Sequence, residues 1–304
     1  MKSFGFFDKI IRVKKLLVKD GIYMKIAIVT DSTSYIPKSV REELNIHMIP
    51  LSVNFGQESY REELDITAEQ FWEELKVREE LPTTSQPAIG EFVELFEQLA
   101  KEYDAVISIH LSSGISGTYN GAVTAGQMVE GIQVYPFDSE ISCMAQGFYA
   151  MEAAQLVQAG KTPEEIIQHL DEMKKTMRAY FMVDDLSHLQ RGGRLNRAQA
   201  LVGSLLQIKP LLHLEDKVIV PFEKVRTQKK AIKRIYSLFD EDASTGAPLR
   251  ATVIHANRPE EAKSILEELS AKYPHVEFYE SSFSPVIGTH LGEGALAVGW
   301  YKLV

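Results

Sequence analysis

The chain predicts an α/β protein of two domains: an N-terminal, mostly parallel sheet covered by helices, and a C-terminal α/β domain with a mixed sheet. Three observations carry that expectation. Apolar, β-rich runs alternate with longer helix-periodic segments from Lys25 onward, as strand–helix units around a parallel sheet do. The alternation breaks near residue 178, and beyond it two apolar runs flank the turn Glu215-Asp216-Lys217, which reads as an antiparallel hairpin. A length of 304 residues leaves room for two cores. We divide the chain into an extension over 1–23, an N-terminal domain over 24–178 and a C-terminal domain over 179–304. No Pro- or Ser-rich linker marks the boundary.

The elements follow in order. Ile26–Thr30 reads as a buried strand that runs into the polar loop Asp31-Ser32-Thr33-Ser34. A short helix follows Pro37, and a second strand is expected over Ile46–Val53. Thr67 and Gln70 form a capping box ahead of Phe71, Trp72 and Leu75. Phe92, Leu95, Phe96 and Leu99 make the apolar stripe of a helix over Ile89–Tyr103. Ala105–Leu111 is the next strand, Ser116–Val129 a helix, Ile132–Pro136 a strand and Ile141–Ala159 a helix. Thr162, with Pro163 in the first turn, caps one more helix. In the C-terminal part the hairpin strands are Leu211–Leu214 and Val218–Val220. Helices are expected at Thr227–Phe239 and Pro259–Lys272, and strands at Ala251–His255 and Val276–Tyr279.

Composition narrows the function class. Hydrophobic content of 45% and charged content of 25% are those of an ordinary globular protein. Cys143 is the only cysteine, so no internal disulfide forms, which suits a reducing cytoplasm. Its neighbours offer no base, and we read it as a structural thiol. A net charge of −9 argues against nucleic acid as an electrostatic partner. Residues 174–234 nevertheless carry fourteen Lys or Arg against five Asp or Glu, around the pair Gly192-Gly193. A solvated surface and a docking or phosphate-facing surface are equal readings of that window. In the first 23 residues Phe4, Phe7, Ile10, Ile11, Leu17 and Val18 fall on one helical face, so a membrane-surface helix is one reading. We prefer a translated leader, because Met24-Lys25-Ile26 resembles a natural protein start leading directly into a strand.

Three segments rich in small hydroxyl residues and glycine carry the chemistry: Thr84-Ser85-Gln86-Pro87, the run Leu111–Thr118, and Gly288–Gly294. Asp31 at the end of the first strand is read as an acceptor of nearby backbone N–H groups rather than a catalytic acid. Pro87 holds Gln86 extended, so the hydroxyls of Thr84 and Ser85 sit on a stiff turn or cap a helix. Ser116, Gly117 and Thr118 open a helix whose free N–H groups suit an anion. A lone His290 is usually a hydrogen-bonded structural group. These groups suit holding a small anion better than breaking bonds. We find no metal-ligand spacing, no phosphate loop ending in Gly-Lys-Ser/Thr and no dinucleotide fingerprint. No metal or cofactor is expected.

Seven ordered motifs resemble the DegV family, the fatty-acid-binding proteins that serve bacterial fatty acid kinase. They are Ile-Val-Thr-Asp-Ser-Thr-Ser (28–34), Thr-Ser-Gln-Pro (84–87), His-Leu-Ser-Ser-Gly-Ile-Ser-Gly-Thr-Tyr (110–119), Leu-Gln-Arg-Gly-Gly-Arg-Leu (189–195), Ile-Lys-Pro-Leu-Leu (208–212), Val-Arg-Thr (225–227) and Gly-Thr-His-Leu-Gly-Glu-Gly (288–294). The departures are Glu293, where the family commonly has proline, and Tyr35, where an acidic residue is common. The resemblance implies two α/β domains and a long-chain fatty acid in a buried tunnel between or beneath them. Its carboxylate would be held by Thr84, Ser116 and His290, with Asp31, Ser32, Ser85, Gly117, Thr118, Gly288 and Thr289 in the supporting loops. Arg194 and Arg226 would face a separate kinase subunit that converts the acid to an acyl-phosphate for phospholipid synthesis. The chain itself would be a cytoplasmic, non-catalytic carrier with no cofactor and at most transient membrane contact. The alternative is a phosphotransferase or small-carbonyl enzyme that uses His290 as a covalent or phosphate acceptor.

Overall fold

The computed structural model describes residues 24–195 and 209–303. The proposed leader, Ile208 of the Ile-Lys-Pro-Leu-Leu motif and part of the basic window lie outside them. Two sheets dominate. The first contains β1 (Ile26–Asp31), β2 (Ile46–Ile49), β6 (Ala105–His110) and β7 (Gln133–Asp138) in the order β2-β1-β6-β7, every pairing parallel. The second has the order β10-β9-β8-β13-β11-β12. Its strands are β8 (Arg178–Met182), β9 (Lys209–Glu215), β10 (Val218–Val225), β11 (Leu249–His255), β12 (Glu277–Ser282) and β13 (Leu296–Lys302). Only β11 and β12 pair in parallel, so this sheet is mixed, as expected.

Alternation along the strands of the second sheet explains how the layers stack. Tyr180, Met182, Val298 and Trp300 face one side, against α8 (Gln228–Ala243) and α9 (Pro259–Lys272). Phe181, Ile254, Ala297 and Tyr301 face the other and join a core shared with Ile26, Ile28, Ile107 and Ile109 of the first sheet. Between the sheets runs α5 (Cys143–Gln158), with almost every side chain from Cys143 to Ala154 buried. A helix apolar on all sides belongs in such an interior position. The outer face of the first sheet is covered by α3 (Ile89–Leu99) and α4 (Thr118–Gly126).

Several boundaries differ from expectation. The strand expected over Ile46–Val53 is two strands. Pro50 lacks an N–H and interrupts the parallel ladder, and the chain re-forms as β3 (Ser52–Phe55) in a separate antiparallel sheet with β4 (Glu58–Arg61) and β5 (Thr83–Ser85). Thr84 therefore lies in a strand opposite Val53, not in a helix cap. Helix α4 begins at Thr118 with Gly117 as its cap, so Ser116 stands in the preceding turn. The glycine-rich segment near the end is partly helical. Ser284 accepts a hydrogen bond from the Ile287 N–H and Pro285 opens α10 (Pro285–Leu291), so local capping outweighs the poor helix propensity of Gly288.

The hairpin forms over a wider span than its apolar core suggests. Its two-residue turn, Asp216-Lys217, has positive φ at both positions, the conformation that matches the twist of hairpin strands. The turn is pinned to the opposite layer. Ser112 Oγ donates to the Lys217 carbonyl at 2.7 Å, and Lys217 Nζ meets Asp138 at 2.9 Å.

Candidate functional site

In the first sheet, β1 and β6 are neighbours whose onward connections run to opposite edges, β2 and β7. Ligands of open α/β sheets bind outside the carboxyl ends of strands at such a switch point. The Asp31–Ser34 turn and the Leu111–Thr118 run emerge at those carboxyl ends. A cavity of about 280 Å³ lies between these loops and the inner face of the second sheet. Its walls include Leu51, Leu111, Ile115, Ile141, Cys143, Ala179, Phe181, Leu214, Ile219, Ile254, Phe283, Val286, Ile287, Leu291 and Ala297.

Polar groups gather at one part of this wall. Thr84, Ser85, Gln86, Ser116, Arg194 and His290 all line the cavity. Thr84 Oγ1 lies 2.8 Å from His290 Nε2. Strand pairing through β5 sets Thr84, and α10 presents His290 from the other layer. Ser116 Oγ is 2.8 Å from Thr118 Oγ1 and accepts from the Thr118 N–H at 3.3 Å. Arg194 connects the two sides, because its Nε donates to the Ile115 carbonyl at 3.1 Å and its charge acts on His290. Burial, then the charges of Arg194 and His188, push the His290 imidazole down to about 4. The ring is therefore neutral near pH 7, and the positive charge at this end belongs to Arg194.

Close approaches explain two glycines. A Cβ on Gly192 would fall 2.2 Å from His290 Nδ1, and one on Gly288 would fall 3.0 Å from the rings of Phe71 and Trp72. His290 Nδ1 has no hydrogen-bond partner among the described residues.

The remaining candidates occupy supporting or separate positions. Asp31 is fully buried and accepts from the N–H groups of Thr33 and Leu111 and from the Gln146 amide, as an aspartate at a strand end ordinarily does. Gly117 packs against the Gln86 amide, and Thr289 Oγ1 donates to the Pro285 carbonyl. Ser85 Oγ accepts from Asn54 Nδ2. Arg226 is exposed and does not line the cavity. Cys143 does line it, and burial pushes its thiol up to about 12, leaving it unreactive. Among the described residues no group of three His, Cys, Asp or Glu side chains is placed to hold a metal ion. No helix among them is long and apolar enough to cross a membrane.

Two features escaped the sequence. Ser108, His110 and Asp31 form a serine–histidine–aspartate chain, with Oγ to Nε2 at 2.6 Å and Nδ1 to Oδ2 at 3.1 Å. All three are fully buried and none lines the cavity, so no substrate reaches the hydroxyl from it. Glu62, which sits in the charged run Arg61-Glu62-Glu63, is fully buried too. It accepts from Ser32 Oγ and from the Val286 N–H, both at 2.5 Å. Burial raises its carboxyl to about 7 against the pull of bonds from Ser32, Val286 and Ser284.

Fold and cavity together define a class: a two-sheet α/β protein with a mostly apolar chamber at a switch point, its polar groups drawn from both layers. Comparison with known proteins narrows the class to a family. Residues 25–303 match the family model described as "Uncharacterised protein, DegV family", and the chain belongs to the DegV family. It is 68% identical to Protein DegV of Bacillus subtilis over 278 residues, 91% of this chain and 99% of that one. Among solved structures it is similar to DegV, a fatty acid binding protein from Bacillus subtilis, with a TM-score of 0.89 and 68% identity over 92% of this chain and 100% of that one. A DegV family protein from Thermus thermophilus, whose structure concerns fatty acid binding, is 30% identical with a TM-score of 0.86, over the same shares of each chain.

Proposed function

We propose that this protein binds a long-chain fatty acid with its tail in the apolar cavity and its carboxylate at Thr84, Ser116 and His290. The observation that carries the proposal is the cavity's composition: apolar walls from both sheets, with hydroxyls, an imidazole and one arginine gathered together. Burial of each methylene is worth roughly 0.8 kcal/mol, so a long acyl chain gains about ten kcal/mol before ordering costs. A buried carboxylate without partners would cancel several of those. Thr84, Ser116 and Arg194 supply donors, and the neutral His290 ring orients the Thr84 hydroxyl. Likeness to relatives described as fatty acid binding supports this reading.

The protein acts as a carrier, not as an enzyme alone, and presents the carboxylate to a separate ATP-dependent kinase subunit that makes the acyl-phosphate. Arg194 and Arg226 mark the side that meets this partner. Their positions divide their work: Arg194 lines the cavity, whereas Arg226 is solvent-exposed. Arg226→Ala should keep bound fatty acid, read by native mass spectrometry, while acyl-phosphate formation with kinase and ATP falls and the loss deepens with salt. Arg194→Ala should lower both. Unchanged turnover in Arg226→Ala would remove that residue from the encounter.

A further inference from the structure

The geometry points to Glu62 as the positioning residue of the carboxylate site: it sets His290 by tying the first turn of the imidazole's helix to the Asp31–Ser34 turn. The inference rests on the reading of Thr84, Ser116 and His290 as the carboxylate site.

Glu62 does not line the cavity. Its two oxygens reach opposite layers. One accepts from the N–H of Val286, one helical turn before His290, and the other accepts from Ser32 Oγ. Ser32 Oγ in turn accepts from the Leu51 N–H at 2.9 Å. Leu51 and Val286 are both wall residues of the cavity, so one carboxyl group holds two wall segments and the helix that carries the imidazole. A buried carboxyl is costly unless several donors converge on it. For merely filling this volume an apolar side chain would serve better, so its use here fits a requirement for orientation.

Orientation matters in α10 because the helix is short, Pro285–Leu291, and His290 lies at its far end. Gly288 rests against Phe71 and Trp72 along its length, and the imidazole abuts Gly192 beyond it. Glu62 fixes the remaining degree of freedom, the position of the first turn. A small tilt there moves His290 Nε2 away from Thr84 Oγ1, a contact of only 2.8 Å. The charged or titratable groups whose fields meet Glu62 are Asp31, Cys143 and Tyr35, and none of them donates to it among the hydrogen bonds above.

The experiment compares oleate with oleyl alcohol, which has the same tail and no carboxylate, on delipidated full-length protein. Affinity for each is measured for wild type, His290→Ala, Glu62→Ala and Glu62→Gln. Glu62→Ala should weaken oleate by about tenfold or more and oleyl alcohol by much less. Glu62→Gln, whose amide can still accept from Val286 and donate to Ser32, should restore most of the oleate affinity. A role confined to packing would weaken both ligands equally, and that result overturns the inference. If His290→Ala itself fails to distinguish the two ligands, the carboxylate assignment fails instead. Should Glu62→Ala not fold, Ser32→Ala carries the test: it removes only the tie to the turn, and an unchanged oleate-to-alcohol ratio again overturns the inference.

Discussion

His290 meets Thr84 at Nε2, and on its Nδ1 side there is room for Gly192 but not for a larger residue. Gly192→Ala would place a methyl group 2.2 Å from Nδ1, closer than any packed atoms tolerate, so the ring must turn away. We expect oleate affinity to fall about tenfold to a hundredfold, the cost of one hydrogen bond in a buried charged site. Ser116→Ala should cost a similar amount, with thermal stability nearly unchanged in that variant and lowered in Gly192→Ala by the clash. Isothermal titration of each variant checks this, and wild-type affinity in both would place the carboxylate elsewhere. Thr84, Ser116 and His290, all of which line the cavity, were singled out through the family resemblance carried by the short motifs around them. Glu62 was not. Between Arg61 and Glu63 it reads as one more solvated charge, and only the pairing of β3 with β4 and the packing of α10 over it make it internal.

Elements explain where the sequence reading succeeded and where it fell short. The capping boxes at Thr67 and Thr162 were readable because both partners of each box lie within four residues. The split of the second strand at Pro50 and the recruitment of Thr83–Ser85 into a separate sheet depend on partners such as Ser52 and Ser85, far apart in the chain, and no local pattern reports such pairing. Glu62 and His290 also give these elements a pH signature. Glu62 holds its proton up to about pH 7 in the fold but only to about 4.5 when unfolded, so its contribution to stability is full below 4.5 and is lost as pH rises to 7. His290 acts in the opposite sense: it resists protonation down to about 4 against an ordinary 6.5, so its contribution is lost as pH falls from 6.5 to 4. In wild type the two slopes offset each other. Glu62→Gln removes the first, so its stability relative to wild type should rise between pH 4.5 and 7 in urea titrations. A difference that stays flat across that range would contradict the buried, proton-holding state of Glu62.

At the scale of the molecule, the two large sheets face one another across α5 with one continuous core between them. A sequence can suggest the two sheets from strand–helix alternation, and it did so here through the break near Arg178. Its pattern alone does not show that their inner faces enclose a chamber, because Phe181, Ile254 and Ala297 look like ordinary core residues, and only the family resemblance implied a tunnel. The pinning of Lys217 to Ser112 and Asp138, which closes the hairpin over the first layer, is equally silent in sequence. A ligand that fills the chamber touches both layers, so it should stabilise the fold in proportion to its occupancy. The most direct measurement is native mass spectrometry of the purified protein, before and after delipidation and oleate addition, with thermal unfolding read in parallel. One adduct of fatty-acid mass per chain is expected, with a lower Tm on its removal and recovery of both on adding oleate. A protein that stays empty at saturating oleate, with unchanged Tm, would contradict the proposed binding.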